Sequence, residues 1–391
     1  MVYCQSNLKS ILALIAASFL ISACGQHQSK QLTSRNATHF TLRKFDLNQR
    51  QSNGLKDWDL SSPEARYNSV AGTVRARLPE GVLYQSGSPA FSLGADFTTV
   101  VDNGKLIVLE GSVRLKRLGS SSLLIKGDRL IWRPADSTMV INQRPEAVDR
   151  DLKLVADSLT FYLDRNQLIF NGHTQLSRWE NSREPTAQPD VIITARDGRW
   201  NLKSGTLSAA GPIRADYLSG RRLIASSIQG NIKLGILDLR SPVRFKLESG
   251  KGAVNGGRTR WDLTKSKLIS KAPVAAYISD GELRGDGFVI DILRDTLIIP
   301  RGCRTTQPNK SLRAQRCTWN WKNSILVAEG DINPKHSDSG QSLKAKQIES
   351  GVALDRYIRS APLEQRVQTH IRLRSGDSQD STIGNRSPMK F

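Results

Sequence analysis

Leu154-Val-Ala156-Asp-Ser-Leu159-Thr-Phe161-Tyr-Leu-Asp-Arg-Asn-Gln-Leu168-Ile-Phe170-Asn-Gly172 alternates apolar and polar residues, breaks at Asp164-Arg165-Asn166, then alternates again. Period two on either side of a polar break is the pattern of a strand, a tight turn and a second strand. The same stretch recurs along the chain. Its small head residue reappears as Ala65, Ala95, Gly127, Ala156, Ala195, Ala225, Gly256, Gly285, Ala314 and Ala345, nine intervals covering 280 residues, about 31 each. That is the repeat length of a solenoid unit.

Columns form around the heads. Two positions before them stand Leu93, Ile125, Leu154, Ile193, Leu223, Val254, Leu283, Leu312 and Leu343, with Pro63 in the first copy. Twelve positions after come Ile107, Met139, Leu168, Leu207, Leu237, Leu268, Leu297, Leu326 and Tyr357, with Arg77 in the first copy. Five after the head lie Val70, Val100, Trp132, Phe161, Trp200, Trp261, Ile290 and Trp319, with Gly230 and Ser350 as gaps. Side chains an even number apart share one face of a strand. Each rung therefore presents an apolar row on one side and Lys, Arg, Asp, Ser or Gln on the other. One rung cannot bury its own face, so rungs stack and pair backbone to backbone. The expectation is all-β: an elongated stack of about ten β-rungs, a folded-sheet solenoid roughly 45–50 Å long. Trp179 to Asp190 reads as a loop between rungs.

Ahead of the repeat, residues 1–24 hold the apolar run Ile11 to Ile21, about the length of a signal-peptide core and short of a bilayer span. The run ends in Ile21-Ser22-Ala23-Cys24, which resembles a bacterial lipobox, so Cys24 is the candidate for lipid attachment. The alternative is an uncleaved anchor from Leu8 to Ala23. Either places the remainder outside the cytoplasm. Residues 25–39 read as a flexible tether, 40–371 as one continuous β-repeat, and 372–391 as a disordered tail.

A net charge of +21 calls for an anionic partner. Export argues against nucleic acid and favours an envelope glycolipid. Catalytic patterns are missing: His27, His39, His173, His336 and His370 lack metal-ligand spacing, and neither a nucleophile elbow nor a Walker A sequence occurs. No cofactor, metal or enzymatic activity is expected. Cys303 and Cys317 fall in consecutive rungs, where an oxidising compartment would join them as a disulfide. Buried free thiols are the alternative.

Asp46-Leu47, Gly54-Leu-Lys-Asp-Trp58-Asp-Leu60 and Pro63-Glu-Ala65-Arg-Tyr67 resemble the opening of the LptC family of lipopolysaccharide-export proteins. Leu109-Glu-Gly111-Ser-Val113-Arg-Leu115 and Ile125-Lys-Gly127-Asp-Arg-Leu130-Ile-Trp132 are similar to the rung pattern shared by LptC and LptA. The likeness covers residues 40–180, and its rung style continues to about 370. The chain departs from the family in being about twice as long and in carrying Cys24 where a transmembrane anchor is usual.

The resemblance implies a β-jellyroll anchored at the inner membrane and facing the periplasm. It would take the acyl chains of lipopolysaccharide, or another anionic glycolipid, from inner-membrane ABC transporter subunits. A periplasmic bridge protein or outer-membrane translocon would receive them. Trp132, Phe161, Trp200, Trp261 and Trp319 are the candidate groove residues. Whether their column lines an open groove or a filled core stays open. The competing readings are a polysaccharide-active enzyme on a parallel β-helix, against which the wide turn spacing and the lack of an Asn or Asp ladder count, and a structural or adhesive envelope solenoid.

Overall fold

The computed structural model describes residues 39–119, 122–179, 188–248, 250–278, 281–308, 310–336, 342–351, 357–359 and 368–370. The leader with Cys24, tether residues 25–38 and the tail 372–391 lie outside the described residues. Within them the structure is β throughout. Two 3₁₀ turns of three residues, Asp102–Gly104 and Pro134–Asp136, are the only helical segments described.

Every strand pairing among the described residues is antiparallel, which excludes a parallel β-helix. The sheet is creased along its length into two leaves. Strands Leu106–Arg117 and Leu124–Arg133 show how: Ile107–Glu110 pair with Arg129–Trp132, the register shifts, and Val113–Lys116 then pair with Leu124–Gly127. Long strands break the same way at Ala210/Ile213, Ser270/Pro273 and Glu329/Ile332. Elsewhere two short strands do the job of one long one, as where Ser88–Gly94 belongs to the second leaf and Phe97–Val101 to the first.

The head column sits at this crease, and packing explains its small residues. A Cβ on Gly127 would run into the Ile141 side chain, and one on Gly285 into Ile299. At these two heads only Gly lets the leaves fold this tightly, while Ala fills others such as Ala65, Ala156 and Ala225.

Past the crease the columns separate by leaf. Cross-strand partners run through the second leaf as Leu93–Leu115–Ile125–Ala147–Leu154–Leu176–Ile193–Ala215–Leu223–Phe245–Val254–Ala276–Leu283. All of these are buried. The column two before each head thus becomes one wall of the interior. The other two columns interleave on the first leaf.

Two sequence expectations need correcting. In the first copy Val70 is not inward: it stands 64% exposed in the turn after Lys56–Asn68. That hairpin is shorter than its successors, so Val74, paired with Val100, takes the inward place. An Asn/Asp ladder does exist. Asn201, Asn231, Asp262, Asp291 and Asn320 each accept a backbone N–H two or three residues on, at 2.8–3.1 Å for the shortest bond at each, closing successive turns of the first leaf. Asn231 and Asn320 also donate to the carbonyls of Ser204 and Arg294 in the preceding turn. At one residue per rung of about thirty, the ladder leaves only a faint trace in the sequence.

Candidate functional site

From the second copy on, the inward row of the first leaf is built from residues five and twelve after each head, which meet as cross-strand partners. It runs Val74–Val100–Ile107–Trp132–Met139–Phe161–Leu168–Trp200–Leu207–Gly230–Leu237–Trp261–Leu268–Ile290–Leu297–Trp319–Leu326. The five candidates Trp132, Phe161, Trp200, Trp261 and Trp319 all stand on this line, each no more than 3% exposed. Every member bears an apolar side chain except Gly230.

The two leaves touch. Trp58 meets Trp132 edge to face with centroids 5.2 Å apart, Phe91 meets Phe161 at 5.3 Å, and Tyr217 approaches Trp261 at 6.2 Å. Such pairs add about 0.5–1.5 kcal/mol beyond area burial. The interior is therefore filled in this conformation. It is not fully satisfied: the indole N–H groups of Trp58, Trp200, Trp319 and Trp321 are buried without an acceptor. Each such donor costs about 1–3 kcal/mol.

Opposite the crease is a mouth, where the leaves end in turns, and here side chains of the second leaf reach across. Gln85 donates to the Leu163 carbonyl at 2.7 Å, Arg117 to Leu202 at 3.5 Å, Arg178 to Leu263 at 3.4 Å and Arg221 to Ile292 at 2.5 Å. The sequence pattern, which puts basic residues on the outer face, does not single these arginines out. Yet Arg117, Arg178 and Arg221 stand two residues from the inward Leu115, Leu176 and Leu223, so parity alone points them in. Arg221 is the most heavily held, paired with Glu248 at 2.8 Å and with Asp295, and lying 5.4 Å over the Trp321 ring. Burial works to raise the Glu248 carboxyl, but the Arg221 hydrogen bond and charge, with Lys251, hold it below its usual range.

Two pockets open along the mouth. One, of about 340 Å³, is lined by Trp58, Leu83, Gln85, Trp132, Leu163 and Lys203 among others. The other, of about 440 Å³, is lined by Leu152, Arg178, Trp200, Leu202, Lys233 and Leu263 among others.

Cys303 and Cys317 are joined, with Cα atoms 5.8 Å apart. Their strands, Cys303–Gln307 and Arg316–Asn320, pair within different leaves, so the bond ties leaf to leaf. Among the described residues no cluster of His, Cys, Asp or Glu could hold a metal. His173 and Asp157 lie 3.1 Å apart, but both are exposed, outside the interior. Among the described residues no helix is long and apolar enough to cross a membrane.

Residues 10–140 match the family described as lipopolysaccharide-assembly, LptC-related. Among curated proteins, none matches the sequence. Among solved structures the chain is similar to LptH of Pseudomonas aeruginosa, the LptA-homologous periplasmic component of a lipopolysaccharide transport device. The identity is 11% and the TM-score 0.26, over 35% of this chain and 93% of that one. That likeness is too weak to bear on the fold, which rests on the strand pairing itself. The family match covers about the first third of the chain and agrees with the resemblance carried by Asp46 to Trp132.

Proposed function

We propose that the chain is a periplasmic, membrane-tethered carrier in lipopolysaccharide export, holding the lipid A acyl chains between its two leaves and passing them on. The observation that supports this most is the inward row from Val74 to Leu326, which offers an acyl chain an apolar surface interrupted only at Gly230. Acyl chains enter by parting the leaves at the mouth, and contacts such as Phe91 to Phe161 give way to contacts with lipid. Acyl-chain transfer depends on this apolar face and not on any titratable residue. An inner-membrane ABC transporter loads the chain, and a periplasmic bridge protein or outer-membrane translocon unloads it.

The test is photocrosslinking in whole cells from position 161, where a photoreactive aromatic should capture lipopolysaccharide. Captured protein without glycolipid would favour a structural solenoid instead.

Membrane attachment is assigned to Cys24. Cys24→Ser should leave an unprocessed precursor without lipid, and unchanged processing would point to the uncleaved anchor.

A further inference from the structure

The turns that close the first leaf at the mouth share a plan from Asn201 onward. Each opens on a residue of the Asn/Asp ladder, follows it with an apolar side chain packed against the interior, and ends in two tip residues. The tips are Lys203-Ser204, Lys233-Leu234, Thr264-Lys265, Leu293-Arg294 and Lys322-Asn323, all of them exposed. Every tip carries one cation and none carries an acid. The carboxylates of these turns face elsewhere. Asp262 and Asp291 are buried in the ladder, 3.9 and 4.0 Å from Lys265 and Arg294, and Asp295 is taken by Arg221. Lys233 is held by the Lys203 carbonyl at 2.7 Å, a partner that leaves its charge in place.

Backbone bonds stitch one turn to the next. The Leu263 N–H donates to the Gly235 carbonyl at 2.8 Å, and the Ile292 N–H to Ser266 at 3.0 Å. The tips therefore form a fixed rail, two strand spacings or roughly 10 Å apart. Leu234 and Leu293 stand on it at 68% and 70% exposed, the highest values for large apolar side chains among the described residues. Leu218, 62% exposed, joins them from the second leaf, because the Arg221 clasp holds its turn against Ile292 and Asp295. The fold does not ask for these leucines, since the other tips make the same turn with Ser, Thr or Asn.

We propose that this rim docks on the surface of an anionic lipid bilayer, with Lys233, Lys265 and Arg294 at the lipid phosphates and Leu218, Leu234 and Leu293 in the interface. Binding at such a surface grows with buried apolar area and with attraction to anionic lipid, and the rim supplies both at the same tips. A convex edge suits a bilayer better than an acidic protein, because a fluid surface needs no shape complementarity. Docking turns the mouth between the leaves toward the membrane. The inference goes beyond the carrier reading and does not depend on it, for the tips are exposed whether or not lipid fills the interior.

The experiment uses the full chain reconstituted into vesicles, with a fluorescent amino acid in place of Leu234, Leu293 or Lys271. Lys271 is exposed at the crease of the same rungs, so any tether carries all three probes alike. The vesicles contain a nitroxide-labelled phospholipid as quencher, in phosphatidylcholine alone or mixed with phosphatidylglycerol. With phosphatidylglycerol the probes at 234 and 293 should be quenched and the probe at 271 should not. Without it, or in molar salt, the quenching should fall away. Each cation removed should lower the ratio of docked to free rim about fivefold, so Lys233→Gln, Lys265→Gln and Arg294→Gln together should lower it about a hundredfold. Equal quenching at all three positions in wild type overturns the proposal, even if the triple variant does not fold. So does quenching that ignores phosphatidylglycerol, or that survives in the folded triple variant. These vesicles hold no lipopolysaccharide, so failure here leaves the carrier reading standing, and a failed capture at position 161 leaves the rim standing.

Discussion

Phe91 of the second leaf and Phe161 of the first meet edge to face across the interior, centroids 5.3 Å apart and rings inclined at 70°. Both are fully buried, and the contact joins segments 70 residues apart in the chain. It makes the filled interior a matter of leaf against leaf, so the same residues govern stability and, in the proposed carrier role, cargo access.

Either ring removed should therefore loosen the fold. Phe91→Ala and Phe161→Ala are each expected to cost about 3–5 kcal/mol in denaturant melts. The double variant should cost less than the sum, by about 0.5–1.5 kcal/mol. Strict additivity would mean that the rings do not stabilise one another.

The crease makes a separate prediction. Gly127→Ala places a methyl against Ile141 and should destabilise by about 1–3 kcal/mol, although a strand otherwise favours Ala over Gly. Ile141→Ala in the same chain should recover part of that loss. A stabilising Gly127→Ala would show that the head column is not set by packing.

The disulfide closes a loop of 14 residues, for which chain entropy predicts about 3 kcal/mol. Cys303→Ser with Cys317→Ser should lower stability by that order. Both sulfurs are buried, so the native bond should resist reductant until the protein unfolds. Rapid reduction of the folded chain would contradict this placement.

Acid should weaken the clasp at Arg221. The Glu248 carboxyl is held below its ordinary 4.5, so it contributes stability above that value and loses it as pH falls through the lowered one. The melting-temperature gap between wild type and Glu248→Gln should stay constant from neutral pH down to about 4.5, then close. A gap unchanged at lower pH would show that the Arg221 pairing does not depend on the Glu248 charge.

Much of this was legible in the sequence because stacking enforces columns. Leu154, Phe161 and Leu168 each recur in nearly every copy, and all three are buried. What the columns concealed was the crease. Leu154 and Phe161 are seven residues apart, an odd interval that no single strand puts on one face, and both point inward because the chain turns between them at Ala156 and carries them to opposite leaves. The first copy misled because its hairpin is short, which moved the inward place from Val70 to Val74. Parity points the mouth arginines inward, but their partners have no local signal: Arg178 and Leu263 are 85 residues apart, and only the fold brings them together.

The carrier reading stands most directly on the line of Trp132, Phe161, Trp200, Trp261 and Trp319, and it is tested by placing a photoreactive aromatic at each of them in cells that export lipopolysaccharide. Glycolipid adducts are expected along the line; five folded, reactive variants that capture no glycolipid would show the interior to be a permanent core and contradict the carrier role.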